Sequence, residues 1–168
     1  GKPVYCVEDQ GHKIIEKKTP PGIGTSPRNL TSNTLGDEMV LASGGKSKVF
    51  SVAIKDRGAI IPWGHLGEAF WYAPDSGEFV TSTFYYRNVP DWVETWNRAK
   101  HADKYRNRSW KLKTDPQTYI ADSDDRPYEK SYGHLGNLFP HPLTHKDPSA
   151  FYRAMRYTPY GDEFTLAF

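Results

Sequence analysis

The chain has 168 residues, enough for one domain with a real core, and 22 basic residues against 20 acidic ones. A net charge of +2 argues against binding to a nucleic-acid polymer, and one cysteine excludes an internal disulfide and a cysteine-based zinc finger. No stretch approaches the ~20 apolar residues of a membrane span, and the opening Gly-Lys-Pro-Val-Tyr lacks the form of a signal peptide. Both ends read as those of a slice from a longer protein.

In chain order, residues 3–7 read as a short strand, with Cys6 as a small buried hydrophobe. A charged loop follows, then Pro20-Pro21-Gly22-Ile23-Gly24, which regular structure does not accept. Thr34-Leu35-Gly36-Asp37 has the form of a capping box, with Leu35, Met39 and Leu41-Ala42 as the apolar side of the helix and Gly44-Gly45 as its stop. Val49 to Ile54 is almost unbroken β-branched and apolar character, which predicts a buried and possibly parallel strand.

Phe70-Trp71-Tyr72 and Phe79 to Tyr85, separated by Pro74-Asp75-Ser76-Gly77, predict an aromatic antiparallel hairpin. Pro90 and Asp91 open a helix in which Trp92, Val93, Trp96 and Ala99 recur as a core-facing stripe. From Arg106 to Pro148 periodicity fades, and the segment reads as an irregular lid. Residues 149–155 predict a short helix, and Tyr157-Thr158-Pro159-Tyr160-Gly161 a break before a last helical turn. The predicted organisation is α/β: a core portion over 1–105, a lid over 106–148 and a return to the core over 149–168.

The chemistry concentrates where the apolar strand ends. Lys55 and Arg57 stand one residue apart there, followed by Gly58, and open α/β sheets bind ligands beyond the carboxyl ends of their strands. A point charge beside a planar fork suits a small anion, above all phosphate. A solvated basic turn is the plainer alternative. His65 follows closely and is expected near that pocket without a catalytic role. His134, His141 and His145 read as lid histidines, because Pro140 and Pro142 argue against a helix that would align His141 with His145. Asp122, Asp124 and Asp125 lack the glycine and closing glutamate of a calcium loop.

The segment SKVFSVAIKDRGAIIPWGH, with its preceding TSPRNLTSNTLGDEMVLASGGKSK and following AFWYAPDSGEFVTSTFYYRNVPDWVETWN, resembles the type I phosphodiesterase/nucleotide pyrophosphatase branch of the alkaline phosphatase superfamily. Within it the chain looks closest to bacterial zinc-dependent phosphomonoesterases with a Lys-x-Arg pair. The resemblance implies a three-layer α/β/α sandwich, a periplasmic or secreted location, and a parent enzyme in which a Thr or Ser alkoxide attacks phosphorus between two zinc ions. It assigns the phosphate-binding pair to Lys55 and Arg57, with Asp56 between them as anchor of the loop; Gly58 and His65, from the reading of the loop itself, are expected in support.

The family's nucleophile segment and its Asp-x-x-x-His and Asp-His zinc ligands have no counterpart here. The expectation is a phosphate-binding portion that partners a phosphate ester and the rest of a parent chain, holds no zinc of its own and is inactive alone. A non-catalytic binding module on the same scaffold is the alternative, and a phosphodiesterase or sulfatase-like relative is a third reading. Trp63, Tyr72, Trp110 and Tyr128 are expected to shape the leaving-group side.

Overall fold

The computed structural model describes residues 1, 3–16, 23–119, 124, 126–132 and 134–168. Pro20, Pro21 and Gly22 of the predicted break, and Asp122 and Asp125 of the acidic turn, lie outside the described residues. Two compact units emerge. The first holds Gly1–Ala73, Glu78–Ala99 and Phe168, and the second holds Pro74–Gly77 and Lys100–Ala167.

The first unit is built on a five-stranded mixed sheet. Its strands are β1 (Glu8–Ile15), β2 (Ile23–Thr25), β3 (Phe50–Ala53), β4 (Glu68–Ala73) and β5 (Glu78–Ser82), in the order β2-β1-β5-β4-β3. The predicted aromatic hairpin is β4–β5, antiparallel, with Trp71 opposite Val80 and Tyr72 opposite Phe79. The predicted apolar strand is β3, and it pairs parallel with β4, placing Val52 beside Phe70. A parallel neighbour needs a crossover, which helix α2 (Asp56–Ile60) supplies.

Strand alternation sorts the side chains of β4 between two covers. Ala69, Trp71 and Ala73 share one cluster with Val80 of β5, Val7, and Ala59 and Ile60 of α2. Phe70 turns to the other face, where its ring lies 5.2 Å from Trp92 on helix α3 (Asp91–Arg98) and 6.0 Å from Phe168. Phe79 stacks on Phe168 with ring centroids 4.0 Å apart. A strand covered on both faces must be apolar throughout, and β4 is buried from Ala69 to Ala73.

Six expectations need correction. The apolar strand β3 lies at the end of the sheet, and Phe50 upon it is exposed, so it is not the buried strand predicted. In α3 Val93 is buried, but Trp92 and, at the C-cap, Ala99 of the predicted core-facing stripe are exposed. Residues 3–7 form no strand: Glu8 N–H donates to Tyr5 O at 2.9 Å, closing a turn in which Cys6 is exposed. The "charged loop" beyond is strand β1, whose polar residues are tolerated because only part of it is buried. Helix α1 (Leu35–Ala42) has the predicted capping box, but Leu35, Met39 and Leu41 are exposed and its buried residues are Gly36 and Asp37. Tyr72 is buried at 3 % exposure beside Phe79, so it belongs to the core and not to a leaving-group surface.

The second unit carries a small antiparallel pair, β6 (Ser109–Trp110) and β7 (His141–Pro142), and helices α4 (Pro148–Met155) and α5 (Pro159–Ala167). The Asp147 side chain caps α4 by accepting from Ala150 N–H at 2.8 Å. Tyr105, Leu143, Phe151, Met155 and Phe164 are buried. Arg153 binds Asp75 through two nitrogens, at 2.6 and 2.8 Å from Oδ1. The predicted break at Gly161 is inside α5, where the missing side chain lets the helix approach the Met155 carbonyl closely.

Candidate functional site

Lys55 immediately precedes the first turn of α2, two residues past the end of β3. Its backbone is extended (φ −116°, ψ 139°), and its carbonyl accepts from Gly58 and Ala59 N–H at 2.9 and 3.1 Å. Ala59 and Ile60 are fully buried against the sheet, which anchors this short helix. Lys55, Arg57 and Gly58 are exposed and Asp56 is partly so. The strand–turn–helix geometry therefore presents two cations on a rigid base at the carboxyl end of a parallel strand, where α/β sheets place their ligands.

The two cations are held differently. Among the described residues no hydrogen bond or ion pair ties the Lys55 ammonium. Arg57 is constrained at both ends of its side chain. Its backbone N–H donates to Asp56 Oδ1 at 2.7 Å, and its Nη1 donates to the Tyr5 hydroxyl at 3.2 Å. Tyr5 in turn donates to the same Asp56 Oδ1 at 2.6 Å, closing a loop across 51 residues of sequence. Burial, and then the bond to the Asp56 carboxylate, push the Tyr5 phenol up, so it stays a protonated donor. The bond from Tyr5 likewise favours the charged form of Arg57. Nothing in composition or spacing singled out Tyr5, because the relation is purely tertiary.

His65 lies at a different centre, built on Asp37. This carboxylate is only 1 % exposed. It accepts from His65 N–H at 2.7 Å, Leu66 N–H at 2.8 Å and Thr34 N–H at 3.0 Å, while the His65 ring Nδ1 faces it at 3.3 Å. The other ring nitrogen faces Leu30 O at 3.2 Å. Burial alone would push the Asp37 carboxyl up; the donors from Leu66, Thr34 and His65 outweigh it and hold the group below its usual range. Gly64 makes this packing possible, with φ at +72° and no room for a Cβ beside Asp37 and Thr34. His65 thus spends its contacts on pinning the loop after α2 to the start of α1, and none of them is with Lys55 or Arg57.

The remaining candidates disperse. The Trp63 carbonyl abuts Gly36, and Tyr128 is 77 % exposed. Trp110 borders two cavities of the second unit, one of about 270 Å³ with His141 and Tyr157 and one of about 440 Å³ with Leu112 and Phe139. His141 is buried, its Nδ1 facing Leu135 O at 3.1 Å, and the His134 and His145 rings are 6.2 Å apart. Among the described residues no three His, Cys, Asp or Glu side chains gather to hold a metal ion. A two-zinc centre therefore has no ligand set among them. No helix among the described residues is long and apolar enough to cross a membrane.

No protein-family model matches the chain. It is 39 % identical over its full length to alkaline phosphatase PhoV of Synechococcus elongatus and 34 % identical over its full length to a calcium-transporting ATPase of Myroides odoratus, in each case spanning 31 % of the relative. Alkaline phosphatase PafA of Elizabethkingia meningoseptica is 35 % identical over 99 % of the chain, again over 31 % of its own length. A solved variant of PafA, with substitutions at a threonine, an asparagine, a lysine and an arginine, superposes with a TM-score of 0.82 at 32 % identity, covering 98 % of this chain and 32 % of that one. The chain thus spans about a third of the length of the relatives it matches. The sequence agrees over its full length and the α/β fold over 98 % of it, so the chain is homologous to a segment of alkaline phosphatases.

Proposed function

We propose that this chain is part of a metal-dependent phosphoric-ester hydrolase and supplies the substrate-phosphate site through Lys55 and Arg57. The observation that carries the reading is the pair of exposed cations at the carboxyl end of parallel strand β3, Arg57 braced by Tyr5 and Lys55 without an ion pair among the described residues. In the solved PafA variant the substituted lysine and arginine are two positions apart, the spacing of Lys55 and Arg57.

The chemistry fits a dianionic phosphate. An arginine fork donates to two oxygens at once, and a lysine adds a point charge on a flexible stem. Each further charged oxygen gains a charge-assisted bond, which favours a monoester over a diester. Asp56 holds the loop by accepting from Tyr5 and from Arg57 N–H, and Gly58 lets it pack closely on Ala53. The zinc ions and nucleophile implied by the family resemblance need residues that this chain's described part does not gather, so the chain contributes recognition and positioning. A periplasmic or secreted location goes with the same resemblance, as does a place within the type I phosphodiesterase branch.

Alanine at Arg57 or Lys55, in the complete enzyme, tests the reading. Each should lower kcat/KM for a phosphate monoester by roughly 10²–10³-fold, the scale of losing one preorganised charge-stabilising group. Wild-type rates in both variants, with folding intact, would overturn it.

A further inference from the structure

We infer that Tyr5 is a positioning residue for Arg57, a phenolic strut that fixes the guanidinium for phosphate. The inference rests on the phosphate-site reading and adds a residue that the pair itself does not include.

A lone exposed arginine has no reason to hold one geometry, because ordering its long side chain costs rotamer freedom. Here that cost is met before any ligand arrives. The Tyr5 hydroxyl has one hydrogen, which it donates to Asp56 Oδ1 at 2.6 Å, leaving its oxygen to accept from Arg57 Nη1 at 3.2 Å. The same Asp56 oxygen takes the Arg57 backbone N–H at 2.7 Å, so the main chain and the head of Arg57 are tied to one reference point. A direct Asp56–Arg57 ion pair would neutralise the cation and compete with phosphate. An intervening phenol instead spends one guanidinium N–H on a neutral oxygen and leaves the other donors and the full charge available.

Tyr5 is also well placed to act as a strut. It lies in the turn ahead of β1, closed by the Glu8 N–H to Tyr5 O bond, and the next residues, Val7 and Asp9, are buried at 1 % and 4 % exposure. Tyr5 itself is 40 % exposed, so removing its hydroxyl leaves the core untouched.

A double-mutant cycle tests the assignment. In the complete enzyme, Tyr5→Phe should raise the inhibition constant of inorganic phosphate and the KM of a phosphate monoester by roughly 5- to 20-fold, the order of one lost hydrogen bond to a charged group. In an Arg57→Ala background the same change should move neither by more than about twofold, because nothing is left to position. Asp56→Asn, which keeps an acceptor but removes its charge, should act in the same direction as Tyr5→Phe and also lose its effect without Arg57. A fully active Arg57→Ala enzyme would sink the phosphate site itself. An impaired Arg57→Ala enzyme with a wild-type Tyr5→Phe enzyme would sink only the strut, as would equal losses from Tyr5→Phe with and without Arg57.

Discussion

The side chain of Asn97 bonds both main-chain groups of Phe79. Phe79 N–H donates to Asn97 Oδ1 at 2.9 Å, and Asn97 Nδ2 donates to Phe79 O at 2.8 Å. Just past β5, Thr83 N–H donates to Lys13 O, and within the strand Thr81 lies opposite Ile15. Helix α3 thus delivers a side-chain amide that bonds both main-chain groups of Phe79, as a neighbouring strand residue would. Asn97→Ala removes both of these buried hydrogen bonds, and a buried backbone group that loses its partner costs about 1–3 kcal/mol. The variant should lose roughly 2–4 kcal/mol of stability in urea unfolding with an unchanged slope. A loss below about 0.5 kcal/mol would show that water or a shifted β1 replaces the amide.

Local rules made much of this fold legible. The capping box at Thr34 and Asp37, the hairpin about Pro74–Gly77 and the start of α3 after Pro90 all formed where short-range chemistry placed them. What escaped was tertiary. β1 reads as a charged loop because a strand paired on both edges but only partly buried has no need of apolar alternation. The apolar residues of α1 are exposed because the helix buries Gly36 and Asp37 instead, a choice made by the loop at Gly64 and not by its own periodicity. Lys55 and Arg57 were visible as a pair, but Tyr5 was not, since a tyrosine 52 residues away carries no local mark.

Asp37 and Asp9 together predict an acid limit to stability. Both carboxyls are held below the usual range in the folded chain. Asp9 owes this to the Ser26 hydroxyl at 2.6 Å, with Gly11 N–H and Arg28 adding to it against the effect of burial; Asp37 owes it to donors that outweigh its burial. Unfolded, each titrates near ~3.9, so their stabilisation is complete above that pH and is lost as pH falls through the lower, folded values. Unfolding free energy should decline below about pH 4–5. Asp37→Asn should flatten that decline while lowering stability at pH 7 by roughly 2–4 kcal/mol, because backbone donors lose a charged acceptor. Equal pH slopes in the variant and the parent would remove Asp37 from the account.

Gly64 should tolerate no side chain. At φ +72° a β-carbon is strained in itself, and here it would also collide with the Asp37 carboxylate and the Thr34 hydroxyl. Gly64→Ala should cost more than the ~1 kcal/mol of an ordinary left-handed glycine, on the order of 3 kcal/mol or above, since it breaks the Asp37 network as well. Gly44, also left-handed at φ +61° but with open space around it, is the control. Gly44→Ala should stay near ~1 kcal/mol, and equal losses at the two positions by thermal unfolding would mean that backbone strain alone decides.

The open side of β3 carries the last prediction. Among the described residues the strand is paired with β4 only, at the end of the sheet, and Phe50 upon it is 50 % exposed. In the same unit Leu35, Met39 and Leu41 of α1 are exposed at 67 %, 46 % and 55 %. Unpaired strand edges and clustered apolar side chains are surfaces that proteins normally cover. The relatives are about three times as long as this chain, which spans 31 % of them, and their further length is the natural cover. The 168-residue chain on its own should therefore associate with itself, its light-scattering mass rising with concentration above the 19.2 kDa of a monomer. Phe50→Lys, which sets a charge on the strand edge, and Leu35→Glu with Met39→Glu on α1 should each shift that rise to higher concentration. A wild-type chain that stays monodisperse at the monomer mass and unfolds in one cooperative transition would show that this surface needs no partner.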